Sequence, residues 1–306
     1  MSCSALRIFP SVRRNWTHLF IAFVSILLEG MFMEKTIDYP KIKNAILLLV
    51  LFIILQLSFE IILGLLAAFT NSYLYNYSTG IARLLSIAVV ILIVLKKSNS
   101  SFISIFRIRN LSVSLYVLII ITCTGSSIVL SEVDNLFRLF FPVPPFFYEL
   151  FHGFFYTDDV ISSIFLLLIV APLTEEILFR KIILSGFINN YGITKAIILS
   201  SIMFGIIHLN PWQFIAATAL GFYFSWLYIK TNSIIPCIFA HGTFNVLPFL
   251  MIRLFRLEIE GYSSDLLSKH VFQPLWFDAI GVLLLSISLY IYYKNPKFKS
   301  PDRPAN

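Results

Sequence analysis

Val160-Ile-Ser-Ser-Ile-Phe-Leu-Leu-Leu-Ile-Val170-Ala-Pro-Leu-Thr-Glu175-Glu176-Ile-Leu-Phe-Arg180 places two adjacent carboxylates at the end of an uncharged apolar run. The run is long and apolar enough to enter a bilayer as a helix. A charged side chain at mid-bilayer depth costs roughly 2.5–3.5 kcal/mol on insertion scales. Two adjacent glutamates therefore need partners inside the protein, and intramembrane ionisable residues mark functional sites by default.

The surroundings of this stretch have the same character. The 306 residues are 58% hydrophobic and 13% charged, with a mean hydropathy of +0.86. A soluble domain carries about 25% charged residues, so the composition predicts an all-α, polytopic membrane protein whose main partner is the lipid bilayer. The net charge of +7 needs no nucleic-acid partner, because Lys and Arg collect in short loops beside apolar spans. Cys3, Cys123 and Cys237 are widely spaced and form no CxxC pattern. They point neither to a disulfide framework nor to a thiolate metal site; Cys237 reads as a packed small residue.

Eight stretches are apolar enough to span or nearly span: about 43–69, 80–96, 112–131, 160–184, 195–208, 212–230, 233–255 and 276–293. A span needs about 20 residues, so 195–208 is short. Lys96, Lys97, Arg107 and Arg109 lie between the second and third spans, and Lys294, Lys297, Lys299 and Arg303 follow the last. Segment 132–159 holds Glu132, Asp134, Glu149, Asp158 and Asp159 against Arg138 alone. The positive-inside rule then puts both ends of the eight-span unit in the cytoplasm. Segment 136–156, dense in aromatics and broken by Pro142, Pro144 and Pro145, reads as an interfacial anchor rather than a substrate gate.

The strongly polar groups of the later spans fall in three clusters, Glu175/Glu176/Arg180, His208 and His241/Asn245. Bundles bury such groups against one another rather than in lipid. Glu176 and Arg180 are i,i+4 neighbours with the glutamate N-terminal, the favourable order, and read as a structural clasp. Glu175 points about 100° away from Glu176 around the helix and is freer to face a cavity. His241 and Asn245 share a helical face, as do Phe204 and His208, where the ring walls the site. Pro172, Pro211, Pro236 and Pro248 lie nearby and are expected to kink the helices and open room for water.

A buried glutamate is a competent general base towards water. His208 can hold and polarise that water, while His241 and Asn245 can donate hydrogen bonds to an oxyanion. Together these groups suffice for amide hydrolysis. The alternative is a zinc site with Glu175, His208 and His241 as ligands and water as the fourth. HExxH is absent, so the helical zincin spacing is not present, and no GxSxG supports a serine nucleophile.

At Glu175-Glu176-x-x-x-Arg180, Phe204-x-x-x-His208 and His241-x-x-x-Asn245 the chain resembles the CPBP family, the CAAX proteases and bacteriocin-processing enzymes, also called the Abi or type II CAAX endopeptidase family. The resemblance covers roughly residues 160–250, the expected catalytic core of a single membrane domain at 33–306. It implies an eight-span helical fold and an intramembrane endopeptidase acting on a peptide or lipidated protein substrate. Glu175 and His208 would activate water, and His241 and Asn245 would form the oxyanion site. The family has also been described as metal-dependent, and some members are tied to bacteriocin self-immunity. A reading from a different class is a non-catalytic immunity or scaffold protein that binds another membrane protein, with the polar cluster as a structural network. Ion- or proton-coupled transport fits less well, since no inverted repeat is visible.

Residues 17–33 form a weaker apolar stretch interrupted by Glu29, and spanning there would place Arg7, Arg13 and Arg14 outside. Residues 1–32 therefore read as a start-site artefact, in preference to a signal-like leader with a basic N-terminal region. N-terminal sequencing of expressed protein is expected to begin downstream of this segment; an intact Ser2 at the mature terminus would overturn both readings.

Overall fold

The computed structural model describes residues 38–70, 74–98, 111–146, 159–263 and 271–295. The 1–32 segment and residues 147–156 of the aromatic segment lie outside them. Eight helices account for most of the described chain: α1 (Ile42–Thr70), α2 (Leu74–Ser98), α3 (Val113–Phe140), α4 (Val160–Tyr191), α5 (Ile193–Ile206), α6 (Pro211–Thr231), α7 (Ile235–Arg253) and α8 (Leu275–Lys294). Each falls on one of the eight apolar stretches of the sequence, and no strand occurs among the described residues.

Six of the eight, α1 to α4, α7 and α8, are long and apolar enough to cross a membrane. The chain is an integral, multi-pass membrane protein. Among the described residues, six of the eight expected spans thus meet the length and composition of a membrane-crossing helix. Helix α5 has 14 residues, too few for a span of about 20. Helix α6 has the length but a more polar composition, with Gln213, Thr218 and Lys230 along it. The two pack along each other.

Helix α4 is the centre of the bundle. Leu178, Phe179, Arg180, Ile182, Ile183, Leu184 and Phe187 are completely buried, whereas α1 turns Leu47, Ile54, Ile61 and Leu65 outward, as a lipid-facing helix does. Asp159 caps α4 by accepting from the Ser162 amide at 3.0 Å. That bond, together with the Asn76 amide, holds the Asp159 carboxyl below the usual range.

Helix α4 is not uniformly α-helical: Leu166–Val170 and Ile177–Leu184 are π-helical, flanking an α-helical turn at Ala171–Glu176. Proline explains the first of these. In the π register the Ala171 amide donates to the Leu166 carbonyl, so residue 172 would donate to Leu167. Pro172 has no N–H to give, and the Asn245 side chain donates to the Leu167 carbonyl instead, at 3.4 Å. Pro172 and Pro248 sit inside helices. Pro211 and Pro236 do not kink anything: both occupy the first turns of α6 and α7, where a missing N–H leaves no bond unmade.

The sequence-based boundary of the third span also moves. Helix α3 continues to Phe140, past the expected end at 131, and stops at the proline cluster. Glu132 and Asp134 therefore lie on a helix rather than in a loop. Both find partners there: Asp134 pairs with Arg138 one turn on, and Glu132 accepts from the Asn135 side chain and the Gln273 amide.

Helices α3 and α8 meet at glycines. A methyl group on Gly125 would lie 2.7 Å from the Leu285 nitrogen and 2.9 Å from the Gly281 oxygen, both backbone atoms that cannot rotate away. Gly125→Ala is expected to destabilise the bundle by about 1–3 kcal/mol, the cost of overpacking. A lowered apparent Tm in detergent checks this, and an unchanged Tm would show the contact to be yielding.

Candidate active site

The three polar clusters of the sequence meet around α4. Glu176 and Arg180 are both completely buried and ion-paired, with Nε 3.0 Å from Oε2. Glu176 has a second partner: its Oε1 lies 2.9 Å from Nδ1 of His241. The Arg180 guanidinium is covered by rings, 4.7 Å from the Phe204 centroid on α5 and 5.5 Å from the Phe224 centroid on α6. A desolvated cation over an aromatic face gains about 2 kcal/mol, which helps hold a charge that has no water to solvate it. Phe204 also meets the His208 ring edge-on at 5.2 Å, so it walls the site.

Glu175 faces elsewhere, as the 100° turn requires. Its Oε1 accepts from Nη1 of Arg83 on α2 at 2.6 Å. Its Oε2 is buried, has no hydrogen-bond partner, and lies 3.9 Å from Nε2 of His241. The side chain retains 12% exposure against 0% for Glu176, and both His208 and His241 lie within Coulombic reach of it.

The packing of α7 fixes His241. Gly242 lets the α7 backbone close on the first π-helical segment, where a methyl group would stand 2.5 Å from the Leu168 oxygen. An ionised carboxylate only accepts, so the bond to Glu176 puts a proton on Nδ1 and turns Nε2 towards Glu175. His208 lies two residues beyond the end of α5 rather than inside it, in a turn followed by Leu209 at φ +50°. Its Nδ1 is 2.8 Å from the Phe204 carbonyl. That carbonyl also only accepts, which leaves the Nε2 lone pair of the neutral ring free to take a hydrogen bond from water.

Arg83 was absent from the sequence-derived set. The signal was present, a single cation within an apolar span, and such a residue is as much a site candidate as the glutamates. Cys237 is completely buried, with its Sγ against the Phe224 carbonyl at 3.4 Å, a packed residue as expected. Among the described residues no three His, Cys, Asp or Glu side chains are grouped to hold a metal ion.

Removing one partner of a buried ion pair leaves the other uncompensated, at about 3–5 kcal/mol. Arg180→Met is therefore expected to lower Tm sharply, and Arg180→Met with Glu176→Gln to recover a large part of the loss. Equal losses in the single and double variants would show that the pair is not the source of stability.

Residues 157–247 match the family described as type II CAAX prenyl endopeptidase Rce1-like. The Bacillus subtilis (strain 168) protein YdiL, provisionally named a membrane peptidase, is 38% identical over 97 residues, 30% of this chain and 40% of YdiL. The UPF0177 protein YxdF of Lactococcus lactis subsp. lactis (strain IL1403) is 31% identical over 96 residues, 31% of this chain and 52% of YxdF. The chain thus spans about half or less of these relatives' lengths. No solved structure matches. The matched region contains Glu175, Glu176, Arg180, Phe204, His208, His241 and Asn245, and over residues 157–247 the chain is similar to the Rce1-like type II CAAX prenyl endopeptidases.

Proposed function

We propose that the protein is an intramembrane endopeptidase that hydrolyses a peptide bond in a membrane-associated or lipidated substrate with water activated by Glu175 and His208. The observation that carries this reading is the unpartnered Oε2 of Glu175, 3.9 Å from His241 Nε2. The neighbouring Glu176 bonds His241 through Oε1, and its Oε2, also without a hydrogen bond, lies against the buried Arg180 guanidinium at 3.0 Å. One carboxylate of the pair has a cation close to the oxygen that lacks a hydrogen bond, whereas the corresponding oxygen of the other has only the His241 ring, 3.9 Å away, beside it.

In this mechanism water hydrogen-bonds to His208 Nε2 and gives a proton to Glu175 Oε2 as its oxygen attacks the carbonyl carbon. The carbonyl oxygen becomes an oxyanion facing α7. Asn245 Nδ2 donates to it, and His241 Nε2, the ring nitrogen not turned to Glu176, faces it and donates whenever the ring carries a second proton. The proton on Glu175 then passes to the leaving nitrogen as the C–N bond breaks, which restores the carboxylate. Asn245 is only weakly held by the Leu167 carbonyl at 3.4 Å, so it can exchange that acceptor for the oxyanion. The loop charges favour both ends of the unit on the cytoplasmic side.

Detergent-purified protein is expected to cleave quenched-fluorescence peptides that carry an apolar or prenylated C-terminal end. Glu175→Ala or His208→Ala should lower kcat by about 10²–10⁴-fold, the contribution of a positioned general base, with folding intact by thermal unfolding. Unaltered cleavage in both variants would overturn the residue assignment. Full activity of Glu175→Gln in a cellular assay would favour a non-catalytic binding role instead.

A further inference from the structure

We infer that Arg83 is a positioning residue of the hydrolytic site, fixing the Glu175 carboxylate so that Oε2 rather than Oε1 faces the reacting water. This rests on the proposed role of Glu175 as base. Arg83 belongs to α2, far outside the matched segment 157–247, so a part of the chain beyond that segment completes the site.

Three observations converge on this role. The Arg83–Glu175 contact, at 2.6 Å, uses a single oxygen, Oε1, and charge-assisted bonds of this length are strong and directional. The other oxygen is left buried and unpartnered beside His241. A carboxylate held by one oxygen cannot rotate the second away without breaking the ion pair.

The pair is also differently placed from Glu176–Arg180. Its side chains are 23% and 12% exposed, against 0% for both members of the inner pair, so it is the less deeply buried of the two. The groups facing Glu175 are Arg83 from α2, His241 from α7 and His208 beyond α5, with Glu176 and Arg180 on its own helix. Arg180 is committed to Glu176, which leaves Arg83 to hold Glu175.

The helix that carries Arg83 is itself anchored along the same face. Asn76 donates to Asp159 at 2.8 Å, and Thr79 donates to Glu60 of α1. Residues 76, 79 and 83 follow the i, i+3, i+7 spacing of one helical stripe. Each polar group of the stripe therefore meets a carboxylate on α1 or at the start and middle of α4. This fixes both the height and the rotation of α2 against the catalytic helix. An anchored helix can present a guanidinium to within the fraction of an ångström that positioning demands.

The test compares Arg83→Gln, Arg83→Lys and Glu175→Gln with wild type, using the quenched-fluorescence peptides and rates normalised to folded protein. Arg83→Gln is expected to lower kcat about 100-fold with KM within about twofold, the cost of a roughly 1 Å misplacement of a reacting group. Arg83→Lys, which keeps the charge but loses the rigid planar fork, should fall between, about tenfold below wild type. Wild-type kcat in Arg83→Gln, or a raised KM at unchanged kcat, overturns the inference while leaving the Glu175 reading intact if Glu175→Gln is inactive. An active Glu175→Gln overturns the reading beneath it. Should Arg83→Gln fail to fold, wild-type kcat in Arg83→Lys overturns the positioning role.

Discussion

The Glu176 carboxylate, buried between Arg180 on its own helix and His241 on α7, is the interaction on which the rest of this structure depends. An ionised group away from water carries a penalty of several kcal/mol unless its oxygens are engaged. Here one oxygen faces the guanidinium and the other the imidazole. The guanidinium is in turn enclosed by Phe204 and Phe224. A single ion pair thereby draws α4, α5, α6 and α7 to one point, and the helices that carry the three motifs have little freedom to pack otherwise.

That commitment of Glu176 gives Glu175 a separate role. Adjacent residues on a helix point about 100° apart, so one carboxylate enters the core and the other looks towards α2 and the edge of the site. The π-helical segments on both sides of Ala171–Glu176 set this phase. π-helical turns recur at functional sites because they re-aim side chains, and here the extra freedom has a local cause. Pro172 leaves the Leu167 carbonyl without its helical donor, and Asn245 answers from α7. One proline thus ties the backbone of the glutamate-bearing helix to a side chain proposed to face the oxyanion.

Much of the architecture was legible in the residues. The apolar stretches located the eight helices of the described residues, because in a bilayer the only economical backbone for an isolated segment is a helix. Spacing also identified the Glu176–Arg180 pair and the common face of Phe204 and His208. Three features were less accessible. Pro211 and Pro236 were expected to kink helices but begin them, since the sequence pattern does not distinguish a first turn from an interior one. Glu132 and Asp134 were assigned to a loop, because the partners that make a helix tolerable there, Arg138 and the Gln273 amide, depend on where the chain returns. Arg83 was overlooked because its partner lies 92 residues away, beyond any local pattern.

The sequence by itself determined that this chain is a helical, multi-pass membrane protein with a Glu, His, His and Asn set in its later spans. Composition and local periodicity decide those properties, and both are properties of short stretches. Only the tertiary structure decided which glutamate is buried, which imidazole nitrogen faces which carboxylate, and that a cation from α2 reaches Glu175. Those are distances between segments far apart in the chain. They follow from how the helices close around one buried charge, and no single helix contains that information.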